Sequence, residues 1–419
     1  MLRELGIFER ALVLSDLHTP FNVVSVLRLE NAPAPEAVQK ALHALQERHP
    51  LLQAGIKNGA FEKSFDQNFL LTFIAAQHEQ QWLEIVEREM NTRLHPPSGL
   101  FRCTYLGSPS QADLILTFHH AIMDAASGMN LLDELLRVCA DEEMQPLPTL
   151  EVVPPVEERF PPSFKGLRGA VHMLRYASAQ MTEEIQYQLR MRGKRKPAIH
   201  LGGQGYPLTL LLAESVVDQL SKRCRAEHIT MNSLLNASLL LTVNRLIYAG
   251  ESRFMQTVSF ADLRPYTHPP TPPENLANYI SMLRYTLLVP EQVSIWSLAK
   301  DLHQKIYRSL KQGNKFTASR MSEALMKMLI QMKTMRMGAS ALNYSGAVPL
   351  EKKYGNIKVN GLHAFLSSFD LGPEVSAQAR LFNGELSIDF MFLGTDMTRD
   401  LAKKIVGEMK TLLEQAATG

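Results

Sequence analysis

The chain has 419 residues, 45% of them hydrophobic and 21% charged, which is the composition of a globular protein with room for two domains of roughly 200 residues each. A formal net charge of +2 gives no electrostatic case for nucleic-acid binding. Cys103, Cys139 and Cys224 show no C-x-x-C spacing and read as buried reduced thiols, and neither a signal-peptide core nor a bilayer-spanning apolar run is present, since even Leu208 to Leu212 soon meets Glu214.

In chain order, Val23 to Glu30 reads as a strand ended by Pro33 and Pro35, and Pro35 can open the helix that follows. That helix, Glu36 to Arg48, carries Val38, Leu42 and Leu45 at helical spacing and stops at Pro50, which makes His49 a structural residue of the helix end. Phe69 to Phe73 predicts a strand, Gln80 to Leu94 a helix and Phe101 to Leu106 another strand. Gly107-Ser108-Pro109-Ser110 then turns the chain into an apolar strand that ends in His119-His120.

Side chains alternate along a strand, so His119 and His120 should point to opposite sides. One can face a cavity while the other packs. A cavity-facing imidazole whose turn is held by Asp124 suits a general base, because histidine titrates nearest to working pH. Opposed side chains make poor joint metal ligands, and no Cys or Glu stands nearby to complete a zinc set.

His119-His120-x-x-x-Asp124 resembles the motif of the condensation-domain acyltransferase superfamily, which includes peptide condensation domains, stand-alone polyketide-associated and alcohol acyltransferases, and chloramphenicol acetyltransferase as a relative. Most members have Gly after the Asp; here Ala125 stands there, with Gly128 three residues on. Glu47-Arg48-His49-Pro50-Leu51-Leu52 is similar to the family's early Arg-His-Pro-x-Leu helix end.

Beyond the motif, Gly128 to Val138 is an amphipathic helix with Leu131, Leu132, Leu135 and Leu136 on one face. Pro146, Pro148, Pro154, Pro155, Pro161 and Pro162 read as a linker. Phe164 to Arg195 is a basic helix ending in Arg190-Met191-Arg192-Gly193-Lys194-Arg195-Lys196. Its charge run suits a solvated face, or docking to an acidic carrier protein, a phosphate-bearing thioester or an anionic membrane surface. Thr209 to Glu214 is a short strand, and Thr230 caps an apolar helix to about Leu246. Phe254 to Phe260 is a strand whose exit, Leu263-Arg264-Pro265, with Ala277-Asn278 downstream, resembles the family's Leu-Arg-Pro element and Gly-Asn pair.

Met321, Met326, Met328, Met332, Met335 and Met337 fall in a predicted helix, either as core filling or as the wall of a channel for an acyl chain. Asn343-Tyr344-Ser345-Gly346 resembles the family's late Asn-x-Gly segment, although a strand-ending turn explains the same residues. Asn383-Gly384 marks a hairpin, followed by a strand through Phe392 and an amphipathic helix from Thr398 to Leu413.

The resemblance implies an α/β fold of two chloramphenicol-acetyltransferase-like lobes with an active-site tunnel between them: a first lobe at 1–145, a linker and crossing helix at 146–198, and a second lobe at 199–419. It implies a thioester-dependent acyltransferase that forms an ester of a hydrophobic alcohol, with His120 as base and His119 and Asp124 beside it in the catalytic motif. Arg264 would pair with Asp124, its guanidinium forking onto the carboxylate. Asn278, Asn343 and Ser345 would lie on the substrate side, Ser345 as an oxyanion donor. Coenzyme A or phosphopantetheine would enter as co-substrate, with no metal or bound redox cofactor. The partners expected are an acyl donor and an alcohol, with an acyl carrier protein as an alternative source of the acyl group, but no nucleic acid; the protein would be a cytoplasmic monomer, with peripheral membrane contact left open. The alternatives are an amide-forming condensation enzyme and a catalytically silent lipid- or carrier-binding relative.

Overall fold

The computed structural model describes residues 1–63, 71–94, 99–108, 110–141, 147–194 and 199–418. The expectations at Phe69, Leu70, Pro109, Pro146, Arg195 and Lys196 lie outside the described residues. Two compact α/β units emerge, and neither is a single run of sequence. The first takes Met1–Arg159, Arg264–Tyr279 and Ala347–Ser367; the second takes Phe160–Leu263, Ile280–Gly346 and Ser368–Gly419. Boundaries at 145 and 198 follow the Pro-rich stretch, whereas compactness divides the chain at Arg159. The physical reason is that this stretch is packed: Val153 and Val156 are buried, Leu150 N–H donates to the Arg48 carbonyl, and Glu157 accepts from Ile7 N–H at 2.7 Å.

In the first unit, six strands lie in the order Lys353–Tyr354, Ile357–Leu366, Asn22–Glu30, Gln111–His119, Phe101–Ser108 and Thr72–Ile74. The His-bearing strand is therefore interior, paired antiparallel on both edges. Its Leu114, Ile115, Leu116 and Phe118 are all buried, which suits a continuous apolar run covered on both faces better than alternation. The helix Pro35–Arg48 starts with its proline at the first turn and packs against the helix Ala125–Ala140. At the end of the former, His49 Nε2 meets Glu134 Oε2 of the latter at 2.7 Å, so His49 has the structural role expected of it.

The second unit holds a sheet in the order Ile280–Val289, Arg253–Asp262, Ser340–Ala347, Val375–Phe382, Glu385–Leu393 and Gly205–Leu212. Its core helix Met231–Ile247 is buried along most of its length and packs against the helices Ile295–Lys311 and Arg399–Thr418. Thr230 Oγ1 caps it by accepting from Ser233 N–H at 3.2 Å. Asn383 and Gly384, at φ 52° and 82°, form the two-residue hairpin turn that positive φ at both positions requires.

The methionine-rich helix departs from expectation. It ends at Met332, with Lys333 in left-handed backbone at φ 50°, so Met335 and Met337 lie beyond it. Of the six methionines only Met326 is buried, while Met328 and Met332 are exposed; they do not share one face. The helix after the motif begins at Ala125, a turn earlier than the apolar periodicity indicated. The elements Ile7–His18, Glu214–Ala226, Ile280–Val289 and Ile295–Lys311 add to those read from sequence.

Thr230→Ala is expected to lower stability by about 1 kcal/mol, the usual worth of a helix cap. Leu239→Ala in the same helix should cost about 2–5 kcal/mol through the cavity it leaves. Urea unfolding of the two variants checks the ranking.

Candidate active site

The strand Gln111–His119 delivers its last residue into the interior. His119 is fully buried; its Nδ1 accepts from Ala121 N–H at 3.1 Å, so in the neutral ring the proton sits on Nε2. That Nε2 lies 3.9 Å from Asp16 Oδ2, on the helix Ile7–His18, and Arg93 Nε lies 3.2 Å from the same oxygen. Burial, opposed by that arginine, raises the Asp16 carboxyl. His119 thus anchors the strand end from inside.

His120 is half-buried beside Phe21, with ring centroids 5.7 Å apart. Its Nδ1 stands 3.1 Å from the Met123 carbonyl oxygen. A carbonyl only accepts, so Nδ1 carries the proton and donates, and the Nε2 lone pair is left over. Asn278 supports this assignment. Its Nδ2 donates to the carbonyls of His120, at 2.8 Å, and Met123, at 3.2 Å. Those two hydrogen bonds use both amide protons, and Nδ2 also lies 3.3 Å from the ring's Nδ1.

Asp124 is the N-cap of the helix Ala125–Ala140. Its Oδ1 accepts from Ser127 N–H at 3.1 Å and from Ser127 Oγ at 3.2 Å. Its Oδ2 accepts from Tyr279 N–H at 2.8 Å and from Arg264 Nη1. The guanidinium also reaches the backbone: Nη2 donates to the Ala277 carbonyl at 2.9 Å. Ser127 Oγ reaches that same carbonyl at 3.2 Å. Both Asp124 and Arg264 are buried. With both oxygens engaged, Asp124 is a positioning residue for the turn.

Ala125, where most relatives carry glycine, opens the helix in ordinary backbone and needs no glycine there. Gly128 lies against that turn: a Cβ on it would stand 2.1 Å from Met123 Cε, so the methionine tip would have to move to admit one. Met123 is itself buried, and its carbonyl is the one His120 binds.

Burial pushes the His120 ring down to about 4, against smaller opposing effects from the Met123 carbonyl and the Asp124 carboxylate. Burial, reinforced by the His120 and Arg93 charges, pushes His119 down to about 3. Both rings are neutral at pH 7, and His120 presents Nε2 as a free acceptor of a proton.

His119, His120, Asp124, Arg264 and Asn278 therefore come together within the first unit. Asn343 and Ser345 lie on the strand Ser340–Ala347 of the second unit; Asn343 Nδ2 donates to Gln378 Oε1 at 2.9 Å, and Ser345 is exposed. Sequence reasoning did not single out Asp16, Arg93, Ser127 or Tyr279, whose backbone N–H completes the Asp124 shell. Only the N-cap spacing of Asp124 and Ser127 carried a local signal. Among the described residues no three His, Cys, Asp or Glu side chains form a metal-holding cluster.

The condensation-domain family model matches residues 9–260. The chain belongs to the condensation-domain family of acyltransferases. A second model, described as the phthiocerol/phthiodiolone dimycocerosyl transferase C-terminus, matches residues 207–391. Comparison with curated proteins finds no match. Among solved structures, the chain is similar to polyketide synthase associated protein 5 from Mycobacterium tuberculosis, at 18% identity and a TM-score of 0.73, covering 100% of this chain and 98% of that one. It is similar to the trichothecene 15-O-acetyltransferase from Fusarium sporotrichioides at 12% identity and 0.77, covering 99% and 95%. The epimerization domain from the third module of tyrocidine synthetase B follows at 15% identity and 0.64, covering 99% and 95%. One fold thus carries names from both acetyl transfer and epimerisation, so the chemistry of this family member must be argued from its own site.

Arg264→Ala leaves a buried carboxylate without its cation and should destabilise the unit that holds it by about 3–5 kcal/mol. Arg264→Lys should recover only part of that, since one ammonium cannot fork between Asp124 and the Ala277 carbonyl. Urea unfolding followed by the near-ultraviolet signal separates the three proteins.

Proposed function

We propose that the protein transfers an acyl group from a thioester, on coenzyme A or a phosphopantetheine arm, to the hydroxyl of a hydrophobic alcohol, with His120 as general base. The observation that carries the reading is the bonding of the His120 ring. Nδ1 is committed to the Met123 carbonyl, so the neutral ring offers Nε2 and nothing else to a substrate.

In the reaction the alcohol oxygen attacks the thioester carbonyl while its proton passes to Nε2. The new C–O bond forms, the C–S bond breaks, and the imidazolium returns the proton to the departing sulfur to give a free thiol. The thioester is already activated, so no acyl-enzyme is needed; holding both substrates together supplies the proximity. As Nε2 gains its proton, the positive ring keeps its Nδ1–H bond to the Met123 carbonyl and stands near the Asp124 carboxylate, both of which favour the charged form. Arg264, Asp124 and Asn278 act through the turn they hold, and His119 through the strand end.

A second reading is amide formation from a carrier-bound acyl group, favoured by the condensation-domain match over residues 9–260. An amine would replace the hydroxyl, and His120 would serve in the same way.

Mass-spectrometric assay of acyl-coenzyme A donors against a panel of alcohols and amines tests both. An ester product should fall by about 10²–10⁴-fold in His120→Ala, the usual worth of a positioned base, with an unchanged thermal midpoint. Full activity in that folded variant contradicts the reading, and an amide as the sole product selects the second one. The base must be unprotonated, so kcat/KM should hold level from neutral pH downward and drop as pH falls through about 4. An acid limb near 6.5, the value of a solvated histidine, would mean the ring is not desolvated in the working enzyme.

A further inference from the structure

The helix Gly166–Arg190 has its apolar side turned outward. Of its 25 residues only Gly169 is buried. Its inner side is largely polar: Glu183 Oε1 accepts from Thr286 N–H at 3.1 Å, and Glu184 Oε2 takes Arg284 at 3.0 Å and Gln256 at 3.0 Å. The outer side carries Leu167, Val171, Leu174, Met181, Ile185 and Leu189, with Leu167 88% exposed, Leu174 72% and Leu189 65%. Their spacing is helical throughout, so they form one straight stripe, about 33 Å long at 1.5 Å per residue.

The helix's own exposed charges have one sign. Lys165, Arg168, Arg175 and Arg190 are exposed, Arg190 lying 4.5 Å from the centre of the Phe254 ring, and Arg192 and Lys194 follow in the turn after the helix, where Lys194 pairs with Glu251 at 3.6 Å. Glu183 and Glu184 are the helix's only acids, and both are engaged on the inner side. A second copy laid along the stripe would set cation against cation. A long, straight apolar line flanked by cations complements a surface that is apolar inside and negative at its boundary.

We propose that this helix seats the protein on an anionic lipid surface, lying in the plane of the interface with Leu167, Leu174, Met181, Ile185 and Leu189 among the acyl chains and Arg168 and Arg175 at the headgroups. Among the described residues no helix is long and apolar enough to cross a membrane, so the attachment is peripheral. It holds whether or not the acyl-transfer reading does.

Co-sedimentation with vesicles of phosphatidylcholine alone, and of phosphatidylcholine mixed equally with phosphatidylglycerol, tests it on the intact chain. Binding should be confined to the anionic vesicles and weaken as salt is raised. Arg168→Gln with Arg175→Gln should reduce the partition coefficient by about 25-fold, roughly fivefold per cation removed. Leu174→Ser with Met181→Ser should reduce it by about tenfold or more. These side chains are exposed, so melting temperatures should stay unchanged. Failure of the intact protein to sediment with anionic vesicles overturns the proposal, as does binding that both double variants retain. A dimer in sedimentation equilibrium that Leu174→Ser with Met181→Ser dissolves overturns it in favour of a second copy. Salt-sensitive capture by an acidic acyl carrier protein, without vesicle binding, overturns it in favour of that protein.

Discussion

The buried ion pair between Arg264 and Asp124 is the constraint on which the site depends. Two charges removed from water are costly unless their remaining hydrogen-bonding capacity is filled, and here it is. Ser127 and Tyr279 complete the carboxylate shell, and the Ala277 carbonyl takes the second arm of the guanidinium. The result is a turn pinned from three directions: by the helix it caps, by the strand that enters it, and by a segment 140 residues further along the chain. The Met123 carbonyl belongs to that turn. The orientation and tautomer of His120 thus follow from an interaction in which His120 takes no part.

The same arrangement sets the chemistry. Asp124 stands at a helix N-terminus, where the backbone dipole favours its negative charge. Burial keeps the His120 ring neutral, against the smaller pull of the Met123 carbonyl and the Asp124 carboxylate. The ring's charged form would be held by a carbonyl at Nδ1 rather than by a carboxylate in direct contact, and in the proposed reaction the gain of a proton is eased by groups already in place. His119, one residue back, shows what alternation along a strand does to a neighbour of the same type. It too is neutral, yet it is turned into the interior towards Asp16 and has no path to such a role.

Much of this could be read from the sequence because the decisive signals are local. Proline at the start of Pro35–Arg48, the cap at Thr230 and the Asn383-Gly384 turn each act within a few residues, and each stands where its chemistry requires. The His-His-x-x-x-Asp motif and Arg264 were legible through family resemblance, and their geometry agrees with a pairing of Arg264 with Asp124. What stayed hidden was long-range. The strand Ile357–Leu366 pairs with Asn22–Glu30 across more than three hundred residues, and no local pattern announces such a partner. The same holds for the backbone N–H of Tyr279, which any residue would supply, and for Asp16 and Arg93, which meet His119 only in the fold. The methionine segment failed for another reason: periodicity indicated a helix but could not tell that Lys333 would end it or which side would be covered.

The most direct test of the account is the nitrogen-15 spectrum of histidine-labelled protein at pH 7, with His120 assigned by comparison with His120→Ala. The account predicts a neutral ring with the proton on Nδ1 and a bare Nε2, and loss of that single tautomer in Arg264→Lys as the turn loosens. A ring protonated on Nε2, or an imidazolium at this pH, would contradict it.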